Sequence, residues 1–204
     1  MTVHPIEEES YRIMRSEVDL SRWNDTDRAV VERIIHSSAD LDYANMTVVG
    51  RYAGSAGLRA LRAGAPIVVD ANMVKMGITS RSSDCYLDDI AKPTKDPLIT
   101  RSALAMRRGI ELHPDGAIFV IGNAPTALFE LLSQVAAGTV RPAMVIALPV
   151  GFVGAAESKE ALRQSSIAEI SVSNIGRKGG SAVAAGAINA LLRLATAGCA
   201  EPVG

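Results

Sequence analysis

His36 is set apart by its surroundings among the groups able to do acid–base chemistry here. Val30, Val31, Ile34 and Ile35 recur at helical spacing, which predicts an amphipathic helix after Asp25-Thr26-Asp27, with Asp25 or Thr26 as its cap. At about 100° per residue, His36 projects nearly opposite that stripe. A histidine filling the core would lie on the stripe, so this one faces water, a cleft or another subunit. A solvated surface histidine would show the same pattern. Facing a cleft, it would be the side chain best suited to give or take a proton near neutral pH. Glu32 and Asp40, one helical turn to either side, are the carboxylates expected to orient it.

A second set of groups lies in loops. Residues 122–125, 149–155 and 174–180 are rich in glycine, and each opens into a predicted helix, the first at Thr126. A helix N-terminus offers unpaired N–H donors and partial positive charge, so it can hold an anion. Arg177 and Lys178 add formal charge to one loop, and Lys159 lies early in the helix after another. Together they suit a ligand with several carboxylates or phosphates, although ordinary turn chemistry uses the same residues. No G-x-x-x-x-G-K-[ST] or G-x-S-x-G string is present, and residues 151–156 do not form G-x-G-x-x-G, so nucleotide-binding and serine-hydrolase readings are weak. His4, His36 and His113 stand outside every zinc-binding spacing, and no resident metal is expected. The acidic pairs Asp88-Asp89 and Asp40…Asp42 read as solvated surface.

The elements that must position these groups follow from apolar runs. Strands are predicted at residues 66–70, 117–121, 143–148 and 169–172. Helices are predicted at residues 55–63, 126–135, 155–163 and 181–195, with Pro125 at a helix start. Residues 80–100, with Pro93 and Pro97, read as a long loop. Such strand–helix alternation implies an α/β fold with a parallel sheet and helices on both faces. Ligands then bind beyond the carboxyl ends of the strands, where the three loops lie.

Composition narrows the classes. A length of 204 residues suggests one domain spanning 1–204. A net charge of −1 argues against a nucleic-acid binder, and one Trp, four Tyr and three Phe are too scattered for a base-stacking platform. Cys85 and Cys199 make no disulfide framework. No apolar run approaches membrane-spanning length, and the polar first residues carry no signal-peptide pattern, so a cytoplasmic location without membrane attachment is expected.

Several strings carry a family resemblance. They are Glu9-Ser10, Ile13-Met14-Arg15, Arg33-Ile34-Ile35-His36, Asp70-x-x-Met73-Val74-x-x-Gly77-Ile78-Thr79 and Thr100-Arg101-Ser102-Ala103, followed by residues 122–129, 149–159 and 176–181. In this order they resemble the precorrin-8X methylmutase family of cobalamin (vitamin B12) biosynthesis, from about residue 5 to about residue 195. The resemblance implies an isomerase that moves a methyl group from C11 to C12 of precorrin-8X or cobalt-precorrin-8. The product is hydrogenobyrinic acid or its cobalt analogue, cobyrinic acid. It implies no methyl donor and no cofactor; cobalt, where present, belongs to the substrate. It gives His36 the role of general acid and sets Ser10, Thr79 and Arg101 around the ring. Arg15 and Asn123 lie in neighbouring strings, and Thr126, Lys159 and Arg177 join them as expected substrate-binding residues. It also implies a three-layer α/β/α, flavodoxin-like fold and a homodimer with its site near the interface. The alternative from another class is a non-catalytic corrinoid carrier of the same fold.

Overall fold

Successive residues of each central strand enter two different cores. Ile67 and Val69, Ile118 and Val120, and Met144 and Ile146 point into one. Val68, Phe119 and Ile121, and Val145 and Ala147 point into the other. This is the strand period of two acting on runs that are apolar on both faces. The computed structural model describes residues 4–91 and 99–197.

The strands are β1 (Thr47–Val49), β2 (Ile67–Val69), β3 (Asp84–Cys85), β4 (Ile118–Ile121), β5 (Met144–Ala147) and β6 (Ser171–Asn174). They form one sheet in the order β1-β6-β5-β4-β2-β3. All neighbours are parallel except β1, which runs antiparallel to β6 with Thr47 opposite Asn174. Setting β1 aside, the five parallel strands follow the 2-1-3-4-5 order of flavodoxin-like folds, whose topological switch point lies here between β2 and β4.

On the first core lie α1 (Pro5–Glu17), α2 (Asp25–Ser38), α3 (Tyr43–Met46), α4 (Ala53–Arg62), α5 (Asn72–Gly77) and α9 (Ser181–Ala197). On the second lie α6 (Arg101–Leu112), α7 (Pro125–Ala136) and α8 (Ala155–Arg163). The result is the expected three layers. The helix and strand runs expected from residue 117 onward are all present, with ends shifted by a residue or two.

Some expectations are corrected. The cap of α2 is Asn24, whose side chain accepts from the Asp27 N–H at 3.0 Å, in place of Asp25 or Thr26. Several elements have no visible signal in the sequence, the short helices α3 and α5 among them. In α1 only Met14 is buried, so no apolar stripe marks it. In α6 the buried face includes Ala103, Ala105 and Gly109, which hydropathy barely registers. Strand β1 is three residues long at the sheet edge. The expected loop at 80–100 contains β3 and a 3₁₀ turn at Leu87–Asp89; its Pro93 and Pro97 lie outside the described residues, as does Cys199. Among the described residues, no helix is long and apolar enough to cross a membrane.

Candidate active site

His36 sits half-buried on the last turn of α2. Its Nδ1 is 3.1 Å from the Ser10 hydroxyl, and its ring lies stacked on Tyr11. Both partners come from α1. Arg33, one turn back on α2, donates to the Tyr11 hydroxyl at 3.2 Å and to Glu7 at 2.8 Å. The carboxylates expected beside His36 are engaged elsewhere. Glu32 is buried and takes both ends of Arg15 at 2.7 Å, and Asp40 accepts from Lys178 at 2.7 Å. A hydroxyl and an aromatic face, rather than two carboxylates, therefore orient the imidazole. Tyr11, Arg15, Glu32, Arg33 and Arg193 line a cleft of about 350 Å³ between α1, α2 and α9.

The switch point carries the second cluster. Asp70 follows β2 and is 1% exposed. Its carboxylate accepts the N–H groups of Gly122 (2.9 Å), Asn123 (2.9 Å) and Ala124 (2.6 Å), which follow β4. Burial pushes the carboxyl pKa up, and the three N–H donors oppose that shift. The anion expected at this loop is thus the chain's own, which corrects the reading of 122–125 as an open anion site. The Asn123 side chain remains exposed. Beside it, Thr126 and Thr100 share a hydroxyl hydrogen bond of 2.7 Å at the mouth of a pocket of about 250 Å³ between α6 and α7. Arg101 opens α6 and donates to the carbonyls of Leu87 (2.6 Å) and Ile90 (3.2 Å), so two of its nitrogens hold the 3₁₀ turn. Thr79 is exposed two residues beyond α5.

The remaining two loops interlock. Gly180 N–H donates to the Leu148 carbonyl at 2.9 Å, and Gly151 N–H donates to the Arg177 carbonyl at 3.2 Å. Gly154 adopts φ 79° to start α8, a conformation that suits glycine. Arg177 is exposed, its guanidinium 5.9 Å from the centre of the Phe152 ring. Lys159 is a correction. It is fully buried, with Nζ donating to Asn174 Oδ1 (2.9 Å) and the Lys178 carbonyl (2.6 Å), so it braces a loop from within and does not face a ligand. Burial, together with nearby Arg163, pushes its pKa down to about 8.

The first half of α9 draws these pieces together. A Cβ on Gly186 would collide with Ser37 Oγ and crowd the Arg33 carbonyl, so α2 meets α9 beside His36. A Cβ on Gly122 would collide with Ser181 and Ala184, so the Asn123 loop meets the same helix. Asn189 of α9 donates to the Gly77 carbonyl at 2.7 Å, tying down the segment that leads to Thr79.

The family model described as precorrin-8X methylmutase matches residues 5–194. The chain belongs to the precorrin-8X methylmutase family. It is 39% identical over 178 residues to a cobalt-precorrin-8 methylmutase of Methanocaldococcus jannaschii, covering 86% of this chain and 83% of that one. It is 41% identical over 191 residues to a precorrin-8X methylmutase of Pseudomonas aeruginosa, covering 90% and 91%. A crystal structure of precorrin-8X methylmutase from Thermus thermophilus superposes with a TM-score of 0.84 at 36% identity, covering 97% of this chain and 98% of that one.

In this methylmutase-family chain, then, His36 and Ser10 are in contact, and α9 packs against the His36 helix, the Asn123 loop and the segment leading to Thr79. Thr126 stands at the neighbouring α6–α7 pocket, Arg101 is turned to the 3₁₀ turn, and Arg177 stands on the far loops. Arg15 lies in the α1–α2–α9 cleft, paired with Glu32. Sequence reasoning passed over Tyr11; its signal is the lone aromatic in a helix whose other residues are mostly charged or polar. In the sequence Asp70 ends the run predicted as the 66–70 strand and heads one of the family strings, but nothing there marks its partners at 122–124. Among the described residues, no three His, Cys, Asp or Glu side chains converge as metal ligands would.

Proposed function

We propose that this chain isomerises precorrin-8X or cobalt-precorrin-8 by moving a methyl group from C11 to C12, with His36 as the general acid. The observation that carries the reading is the fixing of His36 by Ser10 and Tyr11 within a family whose members rearrange this ring. The rearrangement is intramolecular. It needs a held ring and a proton delivered at one place, and it uses no methyl donor or cofactor. Orientation and a placed acid are the means available, the acid typically contributing about 10²–10⁴-fold. In the protonated imidazole both nitrogens donate. Nδ1 donates to Ser10, which leaves the Nε2 proton to address the macrocycle.

The ring's acetate and propionate groups call for cations and hydroxyls at the rim. Arg177, Arg101, Arg15, Thr79, Ser10, Thr126 and Asn123 are assigned that role, with Arg101 and Arg15 also holding their protein partners. Lys159 is withdrawn from it. We further propose a homodimer with the site near the interface. Large apolar side chains stand exposed at the carboxyl edge of the sheet, namely Met73, Met76, Phe152 and Val153, the last two at 86% and 88%. Such a surface favours being covered. The cytoplasm, where Cys85 and Cys199 stay reduced, is the proposed compartment.

The test mixes purified protein with metal-free precorrin-8X and, separately, the cobalt-loaded ring, and follows the visible spectrum. Conversion to the hydrogenobyrinic or cobyrinic acid spectrum, lost in His36→Ala while ligand binding persists, is the expected result. Binding without conversion of either ring would make the chain a carrier and sink the proposal.

A further inference from the structure

We propose that Lys159 is a positioning residue for His36: its buried ammonium fixes the 174–180 loop, whose Lys178 clamps the segment leaving the His36 helix. The inference rests on the reading of His36 as the acid.

The brace begins in the core. Lys159 and Asn174 are both 0% exposed. The Lys159 ammonium and the Asn174 side-chain amide converge on one acceptor, the Lys178 carbonyl, at 2.6 and 2.9 Å. The same amide also donates to the Ile175 carbonyl at 3.1 Å. An ammonium with neutral acceptors is a costly thing to bury, and an apolar chain of similar length would fill the space more cheaply. The charged head is therefore explained by what it holds. The loop it holds has Gly176, Gly179 and Gly180 at positive φ, and such a stretch has little stiffness of its own.

The brace then crosses to α2. Lys178 Nζ donates to Asp40 and Asp42, each at 2.7 Å. An ion pair this exposed is ordinarily loose. Here the lysine backbone is pinned from beneath, so the side chain leaves a fixed point. Asp40 is four residues past His36, and between them Ala39 holds φ 51°. It is the sole non-glycine at positive φ among the described residues. A backbone of that kind persists where its surroundings over-determine it. The clamp on Asp40 supplies that constraint directly after the His36 turn.

The test uses the full chain and precorrin-8X, with Lys159→Met, Lys178→Met and the double variant. Turnover is followed by the visible spectrum. The position of His36 is followed by NMR of ring-labelled histidine, with His36→Ala assigning its signal. Each single variant is expected to lower kcat by about ten-fold or more, since misplacing an acid costs rate; KM stays within about three-fold for Lys178→Met, and rises further for Lys159→Met, which also frees the loop that carries Arg177. The His36 signal should move while that of His113 stays. The double variant should be no slower than the slower single, because both break one chain of contacts. A folded variant with wild-type kcat and an unmoved His36 signal would overturn the inference, as would effects that multiply. Should Lys159→Met not fold, Lys178→Met, with its half-exposed side chain, decides by the same readouts. If the wild type converts neither this ring nor its cobalt-loaded form, the functional reading falls, and the NMR arm still decides the positioning; if it converts only the cobalt-loaded ring, the kinetics are run on that one.

Discussion

The Tyr11 ring lies flat against the His36 imidazole, centroids 4.7 Å apart and planes within 8°. The Tyr11 hydroxyl is fixed in turn by Arg33, so the stack is held at both ends. Tyr11→Ala should reduce kcat by about 10–100-fold with little change in KM, because the acid loses its orientation. Tyr11→Phe keeps the stack and should stay within about three-fold of wild type. Steady-state kinetics on both variants checks this; equal losses in the two would show that the hydroxyl, not the ring face, is what matters.

Asp70 joins the two strands at the switch point through three N–H hydrogen bonds. Asp70→Asn removes charge and turns an amide N–H₂ toward donors it cannot satisfy. It should cost about 2–4 kcal/mol of stability, in the range for leaving buried partners unpaired. Urea unfolding measures the loss, and a change under about 0.5 kcal/mol, the scatter of ordinary surface substitutions, would contradict the role given to the carboxylate.

Lys159 gives a pH dependence with a definite sign. Its folded pKa is about 8, against an ordinary value of 10.5. Between those values the unfolded chain binds a proton that the folded chain has released. The contribution of this residue to stability therefore rises as pH increases through that window, and it is flat below about pH 7. Against Lys159→Met, the wild type should gain by at most about 3 kcal/mol from pH 7.5 to pH 10.5. Denaturant midpoints of the pair across this range test it; a constant or shrinking difference would refute the assignment.

Ala39 pays the cost of a left-handed residue without being glycine. Ala39→Gly should raise stability by about 0.5–1 kcal/mol, the relief of a Cβ in that region less the added freedom of the unfolded chain. Thermal unfolding reads it out, and a lower midpoint would mean that the Ala39 methyl makes a contact of greater worth.

Legibility in the sequence tracked apolar continuity. Phe119 and its neighbours announce β4 because both faces of the strand are buried. The Val30–Ile35 stripe announces α2 and sets His36 off it. Helix α1 was hidden because Met14 alone is buried, and with it went Ser10 and Tyr11 as the partners of His36. Lys159 was misjudged for a related reason. Its place early in a helix marks an anion site when the side chain faces outward, but its facing depends on Asn174, fifteen residues away, and no local pattern encodes that contact. Asp70 reaches Gly122 across fifty-two residues, and the pairing exists only once β2 lies beside β4.

The grip of Asp70 on residues 122–124 also governs the shape of any guest. In sheets of this strand order, the gap at the switch point is the slot into which a narrow phosphate tail descends. Here the slot already has a permanent tenant, attached to the protein itself. On the proposed function, a guest is kept up on the rim and lies across the tops of several strands, an arrangement that suits a broad, flat macrocycle better than a slender phosphate tail.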